Sequence, residues 1–90
     1  MTVNTKLRSL ENQILAILII YGELYGVPLL EHVRRLTSFG PSVASLYHAL
    51  DRLEALGLVA SRWGEATPER RGNRKRYYKI TDAGRSAFNS

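Results

Sequence analysis

Between Glu69 and Ile80 the chain reads ERRGNRKRYYKI, which crowds Arg70, Arg71, Arg74, Lys75 and Arg76 into one short run ahead of two tyrosines. Guanidinium and ammonium groups at this density do one kind of chemistry. They make charge-assisted hydrogen bonds to oxyanions, Arg as a planar fork and Lys as a point charge. Such a run is either a solvated basic face or a surface that lies against a polyanion. A second set of polar groups sits upstream in PSVASLYHALDR: Ser42, Ser45, Tyr47, His48 and Arg52. Hydroxyls and an imidazole at these spacings can donate to phosphates or base edges. They do not assemble an enzyme. The chain has no Ser/His/acid constellation, no paired carboxylates, no metal-ligand spacing and no glycine-rich phosphate loop. His48 has no second ligand at a suitable spacing, because His32 belongs to another element, so neither a metal nor a cofactor is expected.

The charge is unevenly placed. The net charge of +5 comes entirely from residues 62–90, since the basic and acidic side chains of residues 1–61 cancel. A basic excess concentrated in one third of a 90-residue chain points to a polyanionic partner. With 44% hydrophobic and 23% charged residues, the composition is that of one folded domain, read here as residues 1–90. There is no cysteine, so no disulfide staples the fold, and burial against a second subunit is the simplest source of extra stability. The apolar run Ile14–Tyr21 is far shorter than the roughly 20 residues of a bilayer span. Glu11 precedes it and no cleavage site follows. We read it as a buried helix of a cytoplasmic protein, with no membrane involvement.

Several elements must position these groups. Ser9 suits the N-cap of a first helix that ends near Tyr21, apolar on every side from Ile14 onward, as a helix covered all round would be. Gly22–Gly26 reads as a turn. A second helix spans about Tyr25–Thr37, with Pro28 in its first turn and Leu29, Leu30, Val33 and Leu36 at core spacing. Ser42 caps a third helix, whose Val43, Leu46, Ala49, Leu50, Leu53 and Leu56 form one apolar arc, and Gly57 stops it. Its outward front is small, polar and free of acid, with Asp51 and Glu54 coming later. Strands at Leu58–Trp63 and Lys75–Ile80 form a hairpin around a turn-rich loop, Gly64–Arg74, in which Asn73 serves the turn. Tyr78 and Ile80 point to the core, and Trp63 with Tyr78 braces the hairpin against the helices. Thr81 caps a last helix, Asp82–Asn89.

Three helices followed by a two-stranded hairpin is the order of a winged helix-turn-helix, mainly α with a small β-hairpin wing and a short C-terminal helix. In that fold the third helix enters the major groove and the basic loop becomes the wing. The sequence then resembles the PadR family of transcriptional regulators. The likeness is carried by Leu10-Glu11, Leu24-Tyr25-Gly26 and Ser45-Leu46-Tyr47. It continues through Leu50, Arg52-Leu53-Glu54, Gly57-Leu58-Val59 and Trp63-Gly64-Glu65, and ends in Arg76-Tyr77-Tyr78, Ile80-Thr81 and Gly84. Ala44 stands where many members have Gly, Pro28 where an acid is common, and only Thr81–Ser90 stands where the family has a longer C-terminal helix. The resemblance implies sequence-specific DNA binding, usually repression, and a homodimer.

The expected partner is therefore a palindromic operator in double-stranded DNA. Ser42, Ser45, Tyr47, His48 and Arg52 are the candidate contacts on the third helix, and Arg70, Arg71, Arg74, Lys75 and Arg76 those of the wing. Ser42 is equally suited to capping, Tyr47 to packing on the wing, and Arg52 to pairing with Asp51 or Glu54. The expected homodimer uses the first helix and the short C-terminal helix, and no small-molecule effector is required. The alternative is a protein-interaction module on the same scaffold, with RNA binding a lesser variant.

Overall fold

A computed structural model of the chain describes residues 7–37, 40–65 and 74–88. In chain order they form α1 (Ser9–Tyr21), β1 (Leu24–Tyr25), α2 (Gly26–Leu36), α3 (Val43–Ala55), β2 (Val59–Trp63), β3 (Arg76–Ile80) and α4 (Asp82–Phe88). The strands make one antiparallel sheet in the order β1-β3-β2. This is the mainly helical winged helix-turn-helix that the order of elements predicts. No helix among the described residues is long and apolar enough to cross a membrane.

α1 starts from a different cap than Ser9. Arg8 is the N-cap, and its main-chain N–H donates to Glu11 Oε1 at 2.9 Å. A carboxylate three residues into a helix reaches back to the otherwise unpaired N–H at its start. Ile14, Leu15, Ile17 and Leu18 are buried, and this helix forms the spine of the core. Cover fails only toward its end, where Ile20 is 70% exposed and Tyr21 is also exposed.

The turn expected at Gly22–Gly26 is shorter than its two glycines suggest. Leu24 and Tyr25 are strand β1, paired with Tyr78 and Tyr77 of β3, so the sheet has three strands rather than a hairpin's two. β3 thereby becomes the central strand, and its second edge no longer offers unpaired N–H and C=O groups to other chains. α2 runs from Gly26 to Leu36, with Tyr25 and Thr37 as its caps. Leu29 and Val33 are buried, whereas Leu36, expected in the core, is 60% exposed because it lies beside the uncovered end of α1, near Ile20 and Tyr21. The missing Cβ of Gly26 has a steric reason: a methyl group there would overlap the Tyr47 side chain.

In α3, Leu46, Ala49, Leu50 and Leu53 are buried. Each fully buried leucine contributes about 1.5–3 kcal/mol relative to exposure. Val43 and Leu56 lie on the same arc but are exposed, since the helix overruns the core at both ends. Gly57 adopts φ 76°, the left-handed stop expected of it, and its N–H donates to the Glu54 carbonyl at 2.9 Å. Tyr78 and Ile80 are buried as predicted, with Val59 opposite Ile80. The Thr81 hydroxyl accepts from the Gly84 N–H at 3.0 Å and donates to the Gly57 carbonyl at 2.7 Å, so the cap of α4 also ties it to the end of α3.

Candidate nucleic-acid interface

Ser42 is a cap: its Oγ accepts from the Ser45 N–H at 3.1 Å and donates to Ser45 Oγ at the same distance. That leaves a small hydroxylated front on α3, where Ser42, Ala44, Ser45, Tyr47 and His48 are all exposed. The turn leading into it is braced from α2, with Arg34 Nε donating to the Pro41 carbonyl at 3.2 Å. At the rear, Asp51 is exposed on the same outward face.

The two flanks of α3 are held by ion pairs. On one flank Arg52 Nη1 donates to Glu11 Oε1 at 2.5 Å, across a sequence separation of 41. Neither Asp51 nor Glu54, the neighbours expected to compete for Arg52, is its partner. Glu11 is 1% exposed and the Arg52 side chain 35%, so one carboxylate, satisfied by Arg52 and the Arg8 N–H, locks α3 to the start of α1. On the other flank Arg76 Nη2 reaches Glu54 Oε1 at 3.4 Å and Ser61 Oγ at 2.9 Å. Ser61 Oγ in turn donates to Glu54 Oε2 at 2.6 Å. This wing arginine, expected to contact a polyanion, has a carboxylate partner inside its own chain.

The rest of the wing base is arranged differently. Arg74 Nε donates to the Gly64 carbonyl at 3.0 Å, and Lys75 Nζ lies 3.9 Å from the centre of the Tyr25 ring. Among the described residues neither has a carboxylate partner. Arg70 and Arg71 lie outside the described residues, as does Asn73. Trp63 does not brace the hairpin against the helices. It is 53% exposed, cross-strand from Arg76, with the Arg76 and Arg74 guanidinium carbons 5.3 and 5.8 Å from its ring centre. The hairpin extends past the helices here, so the sheet face that buries Tyr78 is open at Trp63.

The opposite face of the sheet is stitched by aromatic and charged groups. Tyr25 meets Tyr77 edge-on at 5.6 Å, and Arg62 stacks over Tyr77 at 4.8 Å. Arg62 also holds Glu23 through two bonds of 2.7 and 2.9 Å. That hydrogen bonding, with the charge of Arg62, holds the Glu23 carboxyl below the usual carboxylate range. Burial pushes the Tyr78 phenol up. Among the described residues no three His, Cys, Asp or Glu side chains gather to hold a metal ion.

A helix-turn-helix flanked by a three-stranded sheet, with an exposed polar helix front beside a basic strand pair, defines the winged-helix class of regulators. The family model described as the transcriptional regulator PadR-like family matches residues 14–90. The chain belongs to that family.

Solved structures agree. A transcriptional regulator from Clostridium thermocellum is 32% identical with TM-score 0.75, covering 89% of this chain and 73% of its own. A PadR family transcription regulator from Clostridium difficile is 26% identical with TM-score 0.76, covering 91% and 81%. Bacillus subtilis PadR, solved in complex with operator DNA, is 25% identical with TM-score 0.77. It is matched over 91% of this chain but 45% of its own length. No curated protein matches in sequence. The family and these neighbours are transcriptional regulators, not enzymes.

Residue-by-residue reading missed three things here. Glu11 as the partner of Arg52 had one signal, a lone acid at the head of an otherwise uncharged helix. Arg34, which braces the α2–α3 turn, had none beyond its place near the end of α2. The Arg62–Glu23 pair depends on β1, which its flanking glycines make look like a turn.

Proposed function

We propose that this protein is a sequence-specific, double-stranded-DNA-binding repressor that acts in the cytoplasm as a homodimer on a palindromic operator. The observation that carries the reading is the front of α3, exposed and free of acid, with Glu54 and Glu11 drawn to its flanks by Arg76 and Arg52. A helix with that front fits the ~12 Å major groove of B-DNA. Bacillus subtilis PadR, a family member of the same fold, is known bound to its operator, which supports the assignment.

In this reading Ser45 and His48 face base edges, and Ser42 and Tyr47 contact the backbone. Arg74 and Lys75, with Arg70 and Arg71 just before them in the sequence, neutralise flanking phosphates. Arg52 and Arg76 hold α3 at its angle through their carboxylate partners and turn their remaining N–H groups outward to the same backbone. The uncovered apolar side chains Ile20, at the end of α1, and Phe88, on α4, suit pairing of two subunits. Two recognition helices then meet half-sites about 10 bp apart.

Selection of bound fragments from random duplex DNA tests the reading directly. A recovered palindrome with half-sites one turn apart supports it, and failure to enrich any sequence overturns it. On the recovered duplex, replacing Arg70, Arg71 and Arg74 by Ala flattens the salt dependence by about 0.9 in the log–log slope per lost phosphate contact. Replacing Ser45 or His48 instead changes discrimination between sequences. Uniform weakening across all duplexes makes those two residues positioning groups only.

A further inference from the structure

Among the described residues, the sheet lies against one flank of α3. On that flank lie Glu54, bonded to Arg76 and Ser61 of the sheet, and Tyr47, whose side chain closes over Gly26. The other flank, carrying Ser45 and Arg52, faces the start of α1. There Arg8, Ser45 and His48 line a single cleft of about 250 Å³, with Glu11 and Leu10 in its wall.

The charge balance of that cleft favours an anion. Glu11, its single acid, is buried and already accepts from Arg52 Nη1 and from the Arg8 main-chain N–H. Arg8 is exposed and has no carboxylate partner among the described residues. A cation at the start of α1 thus stands beside a hydroxyl and an imidazole of the recognition helix, with the one acid that lines the cleft neutralised; Asp51, farther along the outward face, does not line it. A helix lying in a major groove has a phosphate strand along each side. The wing serves one of them.

We infer that Arg8 is a further DNA-contacting residue, which grips the phosphate strand on the side of α3 away from the wing, with Ser45 and His48 as its neighbours in the cleft. This deepens the proposed DNA-binding function and rests on it. Arg8 carries no sequence information in this role. It works with the wing as the second jaw of a clamp and sets how far α3 tilts in the groove.

The experiment uses the full chain as wild type, Arg8→Ala and Arg8→Lys, with two probes: the strongest duplex recovered by selection and a scrambled duplex of equal length. The main-chain N–H of residue 8, which caps α1, is kept in both variants, and circular dichroism verifies their fold. Titrations from 50 to 200 mM salt are expected to give Arg8→Ala a slope shallower by about 0.9 per bound subunit. The fourfold change in salt then weakens each variant subunit about 3.5-fold less than wild type. The loss is equal on both duplexes, and Arg8→Lys restores the slope. Ethylation interference on the selected duplex should lose a backbone signal in Arg8→Ala on the strand opposite those lost in Arg74→Ala. An unchanged slope together with an unchanged interference pattern overturns the assignment of Arg8 while leaving the proposed function standing. Wild-type protein with no salt-dependent affinity for either duplex overturns the proposed function itself, and this inference with it.

Discussion

The Arg52 guanidinium and the Glu11 carboxylate meet at 2.5 Å and fasten the flank of α3 to the first turn of α1. Because Glu11 is buried, the pair matters less for its own attraction than for what happens when half of it is removed. Arg52→Met strands a buried carboxylate and should destabilise the fold by about 2–4 kcal/mol, a little under the usual cost of breaking a buried pair because Arg52 is partly solvated. Glu11→Met combined with Arg52→Met should be markedly more stable than Arg52→Met alone, since no uncompensated charge remains. Urea denaturation of the four proteins checks this, and additive losses would contradict it.

Gly26 and Tyr47 make a steric pair of a different kind. A Cβ on residue 26 overlaps the tyrosine hydroxyl and the ring carbon that bears it, so Gly26→Ala must displace the Tyr47 side chain. Overpacking of this sort costs about 1–3 kcal/mol. Tyr47→Ala removes the obstacle, and Gly26→Ala should then be nearly neutral in that background. The double-mutant coupling from thermal unfolding measures it.

Glu23 offers a pH test. Arg62 holds its carboxyl below the usual range, so the folded protein releases this proton more readily than the unfolded chain does. The stability lent by the pair is therefore present above the unfolded carboxylate value and fades as pH falls through the lowered folded value. Carbon-detected NMR titration should find the Glu23 carboxyl below the usual carboxylate range. Arg62→Ala should raise it back toward that range. Because both side chains are well exposed, the accompanying loss of stability at neutral pH is small.

Ile20 tests the proposed subunit contact. Among the described residues it is the most exposed large apolar side chain, at 70%, and Ile20→Asp removes no core packing. Sedimentation equilibrium should show a dimer for wild type and a shift toward monomer for Ile20→Asp, with the unfolding midpoint at low concentration unchanged. A variant that stays dimeric would move the interface away from the end of α1.

Much of this fold was legible before any coordinates. Ser42 and Gly57 bound α3 through local backbone chemistry, which spacing alone reveals. Tyr78 and Ile80 followed from the two-residue alternation of a strand with one buried face. What stayed hidden depended on neighbours distant in the chain. β1 is two residues long and has no periodicity of its own, so only β3 makes it a strand. Arg52 has two acids within local reach, and nothing in their spacing favours a carboxylate 41 residues away. Periodicity put Leu36, Val43 and Leu56 on the right arcs, but whether a neighbouring element extends far enough to cover them is a property of the assembled core. Trp63 was misassigned for a related reason, because its sheet face is the buried one and the cover stops short of it.

The pairing of Leu24 with Tyr78 has a kinetic consequence. These partners lie 54 residues apart in sequence, so their loop closes only after the intervening helices have collapsed, and such distant contacts are the slow ones. During synthesis the three helices emerge together, whereas β1 must wait, its backbone unpaired, until β3 has left the ribosome. The sheet is thus completed only once β3 is made, and a chain stalled before Tyr77 would hold α1, α2, α3 and β2 with β1 still unpaired.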